Sequence, residues 1–259
     1  MLDLNESAES VTSQNGENGI IEAIFDEIGT KNKVCVEFGA YDLKELSNVY
    51  PLWNSEGWRS ILIEGDPERH DQLQDHYREH SGNTGEVELI QSMVETTGRN
   101  RLDAILERQG VPLDFDLLSV DVDGMDYHIW KELNEFSPRV VVIEFNPTIL
   151  PWKRVVGSAD GNYVGASLQA ISELGYSKAY DLVITTVNNA IFVKEEESDP
   201  FPDTNDIDAA LEPHFEETLQ MIRVLGRTYE GEFFFSGPPT HGQSFTFAGE
   251  HSESFEVPE

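Results

Sequence analysis

Short apolar runs rich in β-branched residues alternate with segments of helical periodicity along most of this chain. Five such runs lie at residues 34–38, 61–64, 87–90, 117–122 and 140–145. Strands separated by helices of this length form a parallel sheet that is covered by helices on both faces. The alternation therefore predicts an α/β fold with a doubly wound sheet.

The segments between these runs contain helix signals. Apolar residues at helical spacing precede the first run and end at Gly29, and they are Ile20, Ile21, Ile24, Phe25 and Ile28. After the second run, Asp66-Pro67-Glu68 predicts a helix start, with Asp66 as its cap and Pro67 in its first turn. Residues 1–18 are polar, and we expect them to be loose at their start.

The pattern changes after the fifth run. Val164, Leu168, Ile171 and Leu174 predict a helix that ends at Gly175. Residues 176–187 and 190–193 then predict two antiparallel strands connected through Asn188 and Asn189. The expected sheet has seven strands, mostly parallel, with an antiparallel last hairpin.

An acidic, Pro-containing stretch begins at Glu195 and divides the chain into a domain at 1–195 and a linker plus small C-terminal extension at 196–259. The extension should contain one helix and a short strand at Phe233-Phe234-Phe235, and the helix is marked by Leu211, Phe215, Leu219 and Ile222. It could be a lid, a contact between copies that makes the protein a homo-oligomer, or a cover for a sheet edge. We favour the cover.

The charge balance excludes several partners. The chain has 49 acidic and 17 basic side chains and a formal net charge of -32. Nucleic acids and anionic membrane surfaces require basic patches, so neither is an expected partner. A surface this acidic favours a halophilic host, in which salt screens the charge, over an ordinary mesophilic one.

Two further absences in the sequence bear on location. The chain shows no signal-peptide pattern and no apolar run of about 18 residues, so we expect a cytoplasmic protein without membrane insertion. Its single cysteine, Cys35, lies in an apolar run and cannot form an intrachain disulfide. We interpret Cys35 as a small core residue.

In sheets of this type, ligands bind at the carboxyl ends of the strands. Carboxylates are frequent at these positions, although some arise by chance in so acidic a chain. The residues at the ends of the first, second, fourth and fifth runs are Glu37, Gly39, Asp42, Glu64, Gly65, Asp66, Asp121, Asp123, Asp126, Glu144 and Asn146.

Glu64 is the most informative of these residues. An acidic side chain that ends the second strand can accept both hydroxyl groups of a ribose, and Glu64 lies 25 residues after Gly39, near the spacing of a nucleoside site. The GxGxxG sequence that brings a backbone close to a pyrophosphate is missing. S-adenosylmethionine has no phosphate and can be held with fewer glycines.

Several segments together resemble the FkbM-type family of S-adenosylmethionine-dependent methyltransferases. They span roughly residues 15–195 and read VEFGAYD, LSNVY, GWRSILIEGDP, NRLDAILE, DLLSVDVDGMDYHIWKEL and VVVIEFNPT. The fourth-strand segment with its following helix, and the next strand ending in Glu144, are the most specific part. Asp123 stands where many members have Glu, and the first loop holds one glycine.

The resemblance implies a class I methyltransferase (Rossmann-like) sheet and methyl transfer, often to a sugar or polyketide hydroxyl. It implies that Glu37, Gly39 and Asp42 surround the methionine part of the cofactor and that Glu64 binds the ribose. By the same resemblance, Asp66, Ser92 and Met93 flank the adenine. Asp121 is a candidate for both cofactor binding and catalysis.

A hydroxyl acceptor, whether a small molecule or a glycan, must lose its proton. The candidate bases are Asp121, Asp126, His128 and Glu144, although His128 fits an ordinary helical position better. Alternatively, Mg²⁺ could be held by Asp121, Asp123, Glu144 and Asn146, as in catechol-type methyltransferases. We favour the metal-independent version.

Three other functions remain open. Asp121-Val122-Asp123 is also the DxD of glycosyltransferases that use a nucleotide sugar, but the sequence shows no basic set for the leaving diphosphate. Methyl esterification of a sugar carboxylate would need no base. A non-catalytic cofactor-binding scaffold would explain the missing glycines.

Overall fold

A computed structural model of the chain describes residues 2–38, 44, 46–79, 85–122, 124–149, 151–159, 164–201, 207–211, 226–229, 232–236 and 242–246. The strands in these ranges are β1 (Val34–Phe38), β2 (Arg59–Glu64), β3 (Val87–Gln91), β4 (Leu117–Val120), β5 (Val140–Glu144), β6 (Tyr180–Thr185), β7 (Asn189–Lys194), β8 (Gly226–Tyr229), β9 (Glu232–Ser236) and β10 (Gly242–Thr246). The α-helices are α1 (Glu17–Ile28), α2 (Tyr50–Ser55), α3 (Pro67–Glu79), α4 (Leu102–Arg108), α5 (Asp126–Glu132), α6 (Leu168–Ser177) and α7 (Ile207–Leu211).

Strands β1 to β7 form one sheet in the order β3-β2-β1-β4-β5-β7-β6. The strands from β3 to β5 pair in parallel, and β7 runs antiparallel between β5 and β6. This confirms the predicted class I methyltransferase sheet, with seven strands, mostly parallel, and an antiparallel last hairpin. The strand order reverses between β1 and β4, and in doubly wound sheets ligands bind at the carboxyl ends of the strands at such a point.

Helices cover both faces of this sheet because its strands are apolar on both sides. In β1, Val34, Val36 and Phe38 pack with residues of α4, α5 and α6, whereas Cys35 packs with residues of α1, α2 and α3. Cys35 is completely buried, which confirms it as a core residue, and this burial raises the pKa of its thiol. The sheet thus forms the middle layer of three.

Two predicted boundaries near α6 were wrong. The helix begins at Leu168, after Ser167, whose hydroxyl accepts the N–H of Ala170 at 3.3 Å, so Val164 is outside it. Gly175 does not end the helix, which continues to Ser177. A β-carbon on Gly175 would lie 2.6 Å from a ring carbon of Phe192 in β7, so this glycine permits close packing instead.

The strand boundaries also differ slightly from the prediction. The fourth strand ends at Val120, which leaves Asp121 and Val122 in the following loop. The first strand of the hairpin begins only at Tyr180, and Asn189 lies within β7 instead of in the connection. These three shifts follow from hydrogen bonding with neighbouring strands, which apolar character alone does not reveal.

The start of the chain is held in place, contrary to the expectation that it would be loose. Leu4 is 1% exposed and packs with the α1 side of the core. The N–H of Leu2 donates to the carbonyl of Pro200 at 3.2 Å. The N-terminal segment and residues 198–201 therefore meet on the same side of the domain as α1.

The C-terminal extension is described only in part. The short helix α7 contributes Ala210 and Leu211 to the core, and the hydroxyl of Thr185 donates to the carbonyl of Ala210 at 2.7 Å. The predicted short strand is β9, the middle strand of a sheet in the order β10-β9-β8. Phe215, Leu219 and Ile222 lie outside the described residues, and the boundary at 195 stays a prediction. Among the described residues, no helix has the length and apolarity required to cross a bilayer.

A charged network closes the amino edge of the sheet. Asp116, just before β4, is completely buried and accepts the backbone N–H groups of Lys31, Asn32 and Lys33 at 2.6–3.0 Å. Arg139, just before β5, donates to Asp116 at 2.8 Å and pairs with Glu197 at 2.7 Å. Every charge in this network is paired, so it ties the strand starts together.

Candidate functional site

Four predicted carboxylates lie along the carboxyl edge of the parallel strands. Glu37 is near the end of β1, and Glu64 and Glu144 are the last residues of β2 and β5. Asp121 directly follows β4, which neighbours β1. The fold therefore brings these side chains to the edge where the strand order reverses and where ligands bind in such sheets.

Glu37 is a buried carboxyl group whose hydrogen bonds with described residues come from neutral donors. It is 4% exposed, and it accepts the hydroxyl of Ser47 at 2.6 Å and the N–H of Asn48 at 2.7 Å. Burial raises the pKa of Glu37 to about 7; these hydrogen bonds oppose the rise, and the negative charge of Asp121 adds to it. Glu37 therefore changes its charge near neutral pH.

Glu64 has one carboxylate oxygen in use and one that is not. The residue is 5% exposed, and its Oε1 accepts the N–H of Asp66 at 2.8 Å. Its Oε2 is buried and has no hydrogen-bond partner among the described residues. Leaving a buried acceptor unsatisfied is costly, so this oxygen is suited to a donor from outside the chain.

The turn after Glu64 begins α3. Both backbone N–H groups of Glu68 and Arg69 donate to Asp66 Oδ1 at 2.9 Å, which confirms Asp66 as the helix cap. The N–H of Ser92 donates to the carbonyl of Glu64 at 3.0 Å.

Met93 lies against the same turn, since a β-carbon on Gly65 would be 3.1 Å from its sulfur, and Met93 is 66% exposed. Ser92 and Met93 are thus brought beside the end of β2. Asp66 Oδ1 instead caps the first turn of α3.

Asp121, Asp126 and Glu144 form an acidic cluster in which one oxygen from each lies within 4.8 Å of the others. Asp126 is 2% exposed, and its two oxygens accept the N–H groups of Val122 at 2.8 Å and Gly124 at 3.0 Å. Asp126 therefore closes the loop after β4, which makes it a poorer candidate base than Asp121 or Glu144.

Two further candidates mainly hold the segment that follows β5. His128 Nε2 lies 2.8 Å from the carbonyl oxygen of Gly157, which can only accept, so Nε2 carries the proton. Asn146 Oδ1 accepts the N–H of Thr148 at 2.9 Å and its hydroxyl at 2.6 Å, and Asn146 Nδ2 donates to the carbonyl of Val164 at 2.8 Å. The side-chain oxygen of Asn146 is therefore already engaged.

Gly39, Asp42 and Asp123 lie outside the described residues. Their predicted roles in holding the methionine part of the cofactor, or a metal, stay predictions. The same applies to the DxD interpretation, because it requires Asp123.

The N-terminal segment supports the site, a contribution that the sequence did not predict. Asn18 Oδ1 accepts the backbone N–H groups of residues 11–13 at 2.7–3.1 Å. Its Nδ2 donates to the carbonyls of Ser47 at 3.2 Å and Asn48 at 3.1 Å, the two residues that hold Glu37. An asparagine in the first turn of α1 is a weak signal, and nothing in the sequence indicates that its partners lie about thirty residues away.

No protein family and no curated protein matches the chain. Solved structures that resemble it include a putative O-methyltransferase from Klebsiella pneumoniae, at 11% identity over 74% of this chain and 86% of that one, with a TM-score of 0.46. A Bacillus cereus O-methyltransferase in complex with SAH is 13% identical over 73% of this chain and 86% of that one, with a TM-score of 0.44. The SAH-bound Podospora anserina methyltransferase PaMTH1 is 14% identical over 71% of this chain and 80% of that one, with a TM-score of 0.43. At these TM-scores we base no assignment of function on the similarity.

Proposed function

We propose that this protein is an S-adenosylmethionine-dependent methyltransferase that methylates a hydroxyl group of a sugar or glycan. The observation that carries the proposal is the buried, unsatisfied Oε2 of Glu64 at the carboxyl end of β2. A ribose offers two neighbouring hydroxyl donors, which fit a carboxylate with a free acceptor. Glu64 would therefore hold the ribose of the cofactor.

The charge of this edge favours S-adenosylmethionine over a dinucleotide or a nucleotide sugar. Glu37 and the cluster that contains Asp121 and Glu144 would repel a pyrophosphate, whereas the cofactor carries a sulfonium and an ammonium group. The resemblance of VEFGAYD and DLLSVDVDG to FkbM-type methyltransferases supports the same choice. By that resemblance, Glu37, Gly39 and Asp42 would surround the methionine part, and Asp66, Ser92 and Met93 would flank the adenine.

The cofactor, when bound, supplies a methyl group activated by its positive sulfur. The chain then has to place the acceptor hydroxyl and take up its proton. Glu144 and Asp121 are the proposed bases. Both oxygens of Asp126 accept backbone N–H groups, and Nε2 of His128 donates to the carbonyl of Gly157, so these two residues are less suited to take up the proton. We favour the metal-independent version, since the oxygen of Asn146 is also engaged.

Calorimetry separates the main alternatives. We expect binding of S-adenosylmethionine and S-adenosylhomocysteine, and none of NADH or of a UDP-sugar with Mn²⁺. Binding of the UDP-sugar without S-adenosylhomocysteine would favour the glycosyltransferase. The absence of binding to every ligand would refute the proposal.

Turnover of a panel of sugars, with and without EDTA, tests the chemistry. We expect no effect of EDTA and a loss of roughly 10²- to 10⁴-fold in Glu144→Gln, with unchanged cofactor affinity. Glu132→Gln, an exposed residue at the end of α5, is the matched control. Turnover that EDTA abolishes and Mg²⁺ restores would establish the metal-dependent mechanism. Methylation of a sugar carboxylate would show that the acceptor is a carboxylate and not a hydroxyl. A degenerate scaffold would bind the cofactor and methylate nothing.

A further inference from the structure

Glu17 is a buried carboxylate for which the proposed reaction has no use. It is completely buried in the first turn of α1. Its oxygens accept the N–H of Asn15 at 2.8 Å, the hydroxyl of Thr186 at 2.7 Å and the side-chain amide of Asn189 at 3.0 Å. Burying a carboxylate among neutral donors costs free energy, because no cation compensates its charge.

Two of the three donors, Thr186 and Asn189, flank the turn between β6 and β7. The N–H of Thr186 donates to the carbonyl of Asn189 at 2.8 Å, and the hydroxyl of Thr186 accepts the N–H of Asn189 at 3.2 Å. Asn188 lies within this turn, and its carbonyl accepts the N–H of Phe145 at 2.8 Å. Glu17 therefore fixes a turn that is bonded to the end of β5.

The side chain of Asn188 continues from this turn to the acidic cluster. Its Oδ1 accepts the amide of Asn15 at 2.7 Å and lies 3.5 Å from the amide nitrogen of Asn189. Its Nδ2 donates to Glu144 Oε1 at 3.2 Å. A chain of contacts thus runs from Glu17 through Asn189 and Asn188 to Glu144.

The chemistry of Glu17 sets the direction of this chain. A carboxylate only accepts hydrogen bonds, so the amide nitrogen of Asn189 must face Glu17. The same nitrogen and the amide nitrogen of Asn15 both face the oxygen of Asn188, which leaves the nitrogen of Asn188 to face Glu144. The opposite orientation of Asn188 would place its oxygen against a carboxylate.

We propose that Glu17 is a positioning residue that orients Glu144 through Asn189 and Asn188, and this inference depends on the proposed role of Glu144 as a base. Asp121 from the loop after β4 and Asp126 from α5 lie within 4.8 Å of Glu144 and repel it. A neutral donor on Oε1 holds the carboxylate in place against that repulsion without removing its charge.

The side-chain amide signal of Asn188 in a ¹⁵N NMR spectrum tests the chain directly and needs no acceptor. The signal is identified by its absence in Asn188→Ala. We expect it to move in Glu17→Gln and in Glu144→Gln. It should stay in place in Asp103→Asn, which alters another buried carboxylate that accepts two backbone N–H groups elsewhere in the fold.

An Asn188 signal that stays in place in Glu17→Gln would overturn the proposal. If that variant does not fold, Asn189→Ala breaks the same chain while Glu17 remains, and the same movement is expected. A signal that does not move in Asn189→Ala would likewise overturn it.

A double-mutant cycle measures the effect on turnover. Glu17→Gln and Asn188→Ala should each lower kcat about tenfold with little change in KM, and neither should lower it further when combined with Glu144→Gln. Additive losses would show that Glu17 affects turnover by a route other than Glu144 and would overturn the proposal. Failure of the wild type to bind S-adenosylhomocysteine would instead refute the proposed function, and the NMR result would still decide whether Glu17 orients Glu144.

Discussion

The two edges of the parallel sheet both bury carboxylates, but they satisfy them differently. At the amino edge, Asp116 receives three backbone N–H groups and the guanidinium of Arg139. At the carboxyl edge, within the part of the chain that the structure describes, Glu37 receives only neutral donors and Glu64 keeps a buried oxygen without a partner. The same residue types are thus neutralised at one edge and left incomplete at the other.

This difference separates a structural role from a binding role. A buried ion pair with all its hydrogen bonds made has little left to offer a ligand, and breaking it exposes an uncompensated charge. A buried carboxylate without its full set of donors destabilises the free protein and becomes satisfied when a ligand supplies them.

The largest effect is expected at the amino edge. Arg139→Met keeps most of the side-chain volume but leaves Asp116 and Glu197 without their cation, and it should lower the free energy of unfolding by about 3–5 kcal/mol. Urea denaturation measures the loss. Affinity for S-adenosylhomocysteine in the folded variant should match the wild type, and a weakened affinity would contradict the separation of the edges.

Glu37 should make stability depend on pH. Its folded-state pKa of about 7 lies above the ordinary value of 4.5, so the folded protein binds the proton more tightly than the unfolded chain. The free energy of unfolding should therefore decrease as the pH rises from 4.5 to 7. The contribution of Glu37 to this decrease is about 3 kcal/mol, because one pKa unit corresponds to about 1.4 kcal/mol.

Denaturation curves of wild type and Glu37→Gln across this pH range isolate the effect. The variant should lose this fall, whereas Glu132→Gln should follow the wild type. Parallel pH profiles for wild type and Glu37→Gln would show that Glu37 ionises normally in the folded protein.

Glu64→Gln should weaken binding rather than folding. Loss of charge-assisted hydrogen bonds to the ribose should reduce affinity for S-adenosylhomocysteine by about 10- to 100-fold, as calorimetry would show. The free energy of unfolding should stay equal or rise, because the neutral amide costs less to bury than a carboxylate with an unsatisfied oxygen. Glu88→Gln on β3, which removes an ion pair with Arg59, is the control and should leave affinity unchanged. Unchanged affinity in Glu64→Gln would refute ribose binding by this residue.

Salt should change stability through the exposed charges and not through the buried carboxylates of either edge. The effect of each exposed charge on the free energy of unfolding should be the smallest of those considered. The net charge of -32 repels itself at low ionic strength, so we expect a higher Tm in molar KCl, as in a halophilic protein. The stability difference between wild type and Arg139→Met should persist in KCl, because the pair is buried. A Tm independent of KCl would remove the halophilic interpretation and leave the methyltransferase proposal intact.

The periodicity of the sequence predicted the sheet well because strands β1, β2, β4, β5 and β7 are buried on both faces over nearly their whole length and are therefore mostly apolar. Helix caps with strong local chemistry, such as Asp66 before Pro67, were also predictable. Gly175 was misread because a glycine that ends a helix and a glycine that admits a ring from another strand look identical in sequence. Its partner, Phe192, is distant along the chain.

The candidate site divides along the same line. The sequence alone placed Glu37, Glu64, Asp121 and Glu144 at strand ends, since strand position follows from local apolar character. Only the tertiary structure distinguished their states, leaving Glu64 Oε2 unsatisfied, raising the pKa of Glu37 and joining Glu17 to Glu144 through Asn188. These properties depend on burial and on donors from remote parts of the chain, and neither is encoded in the residues next to each carboxylate.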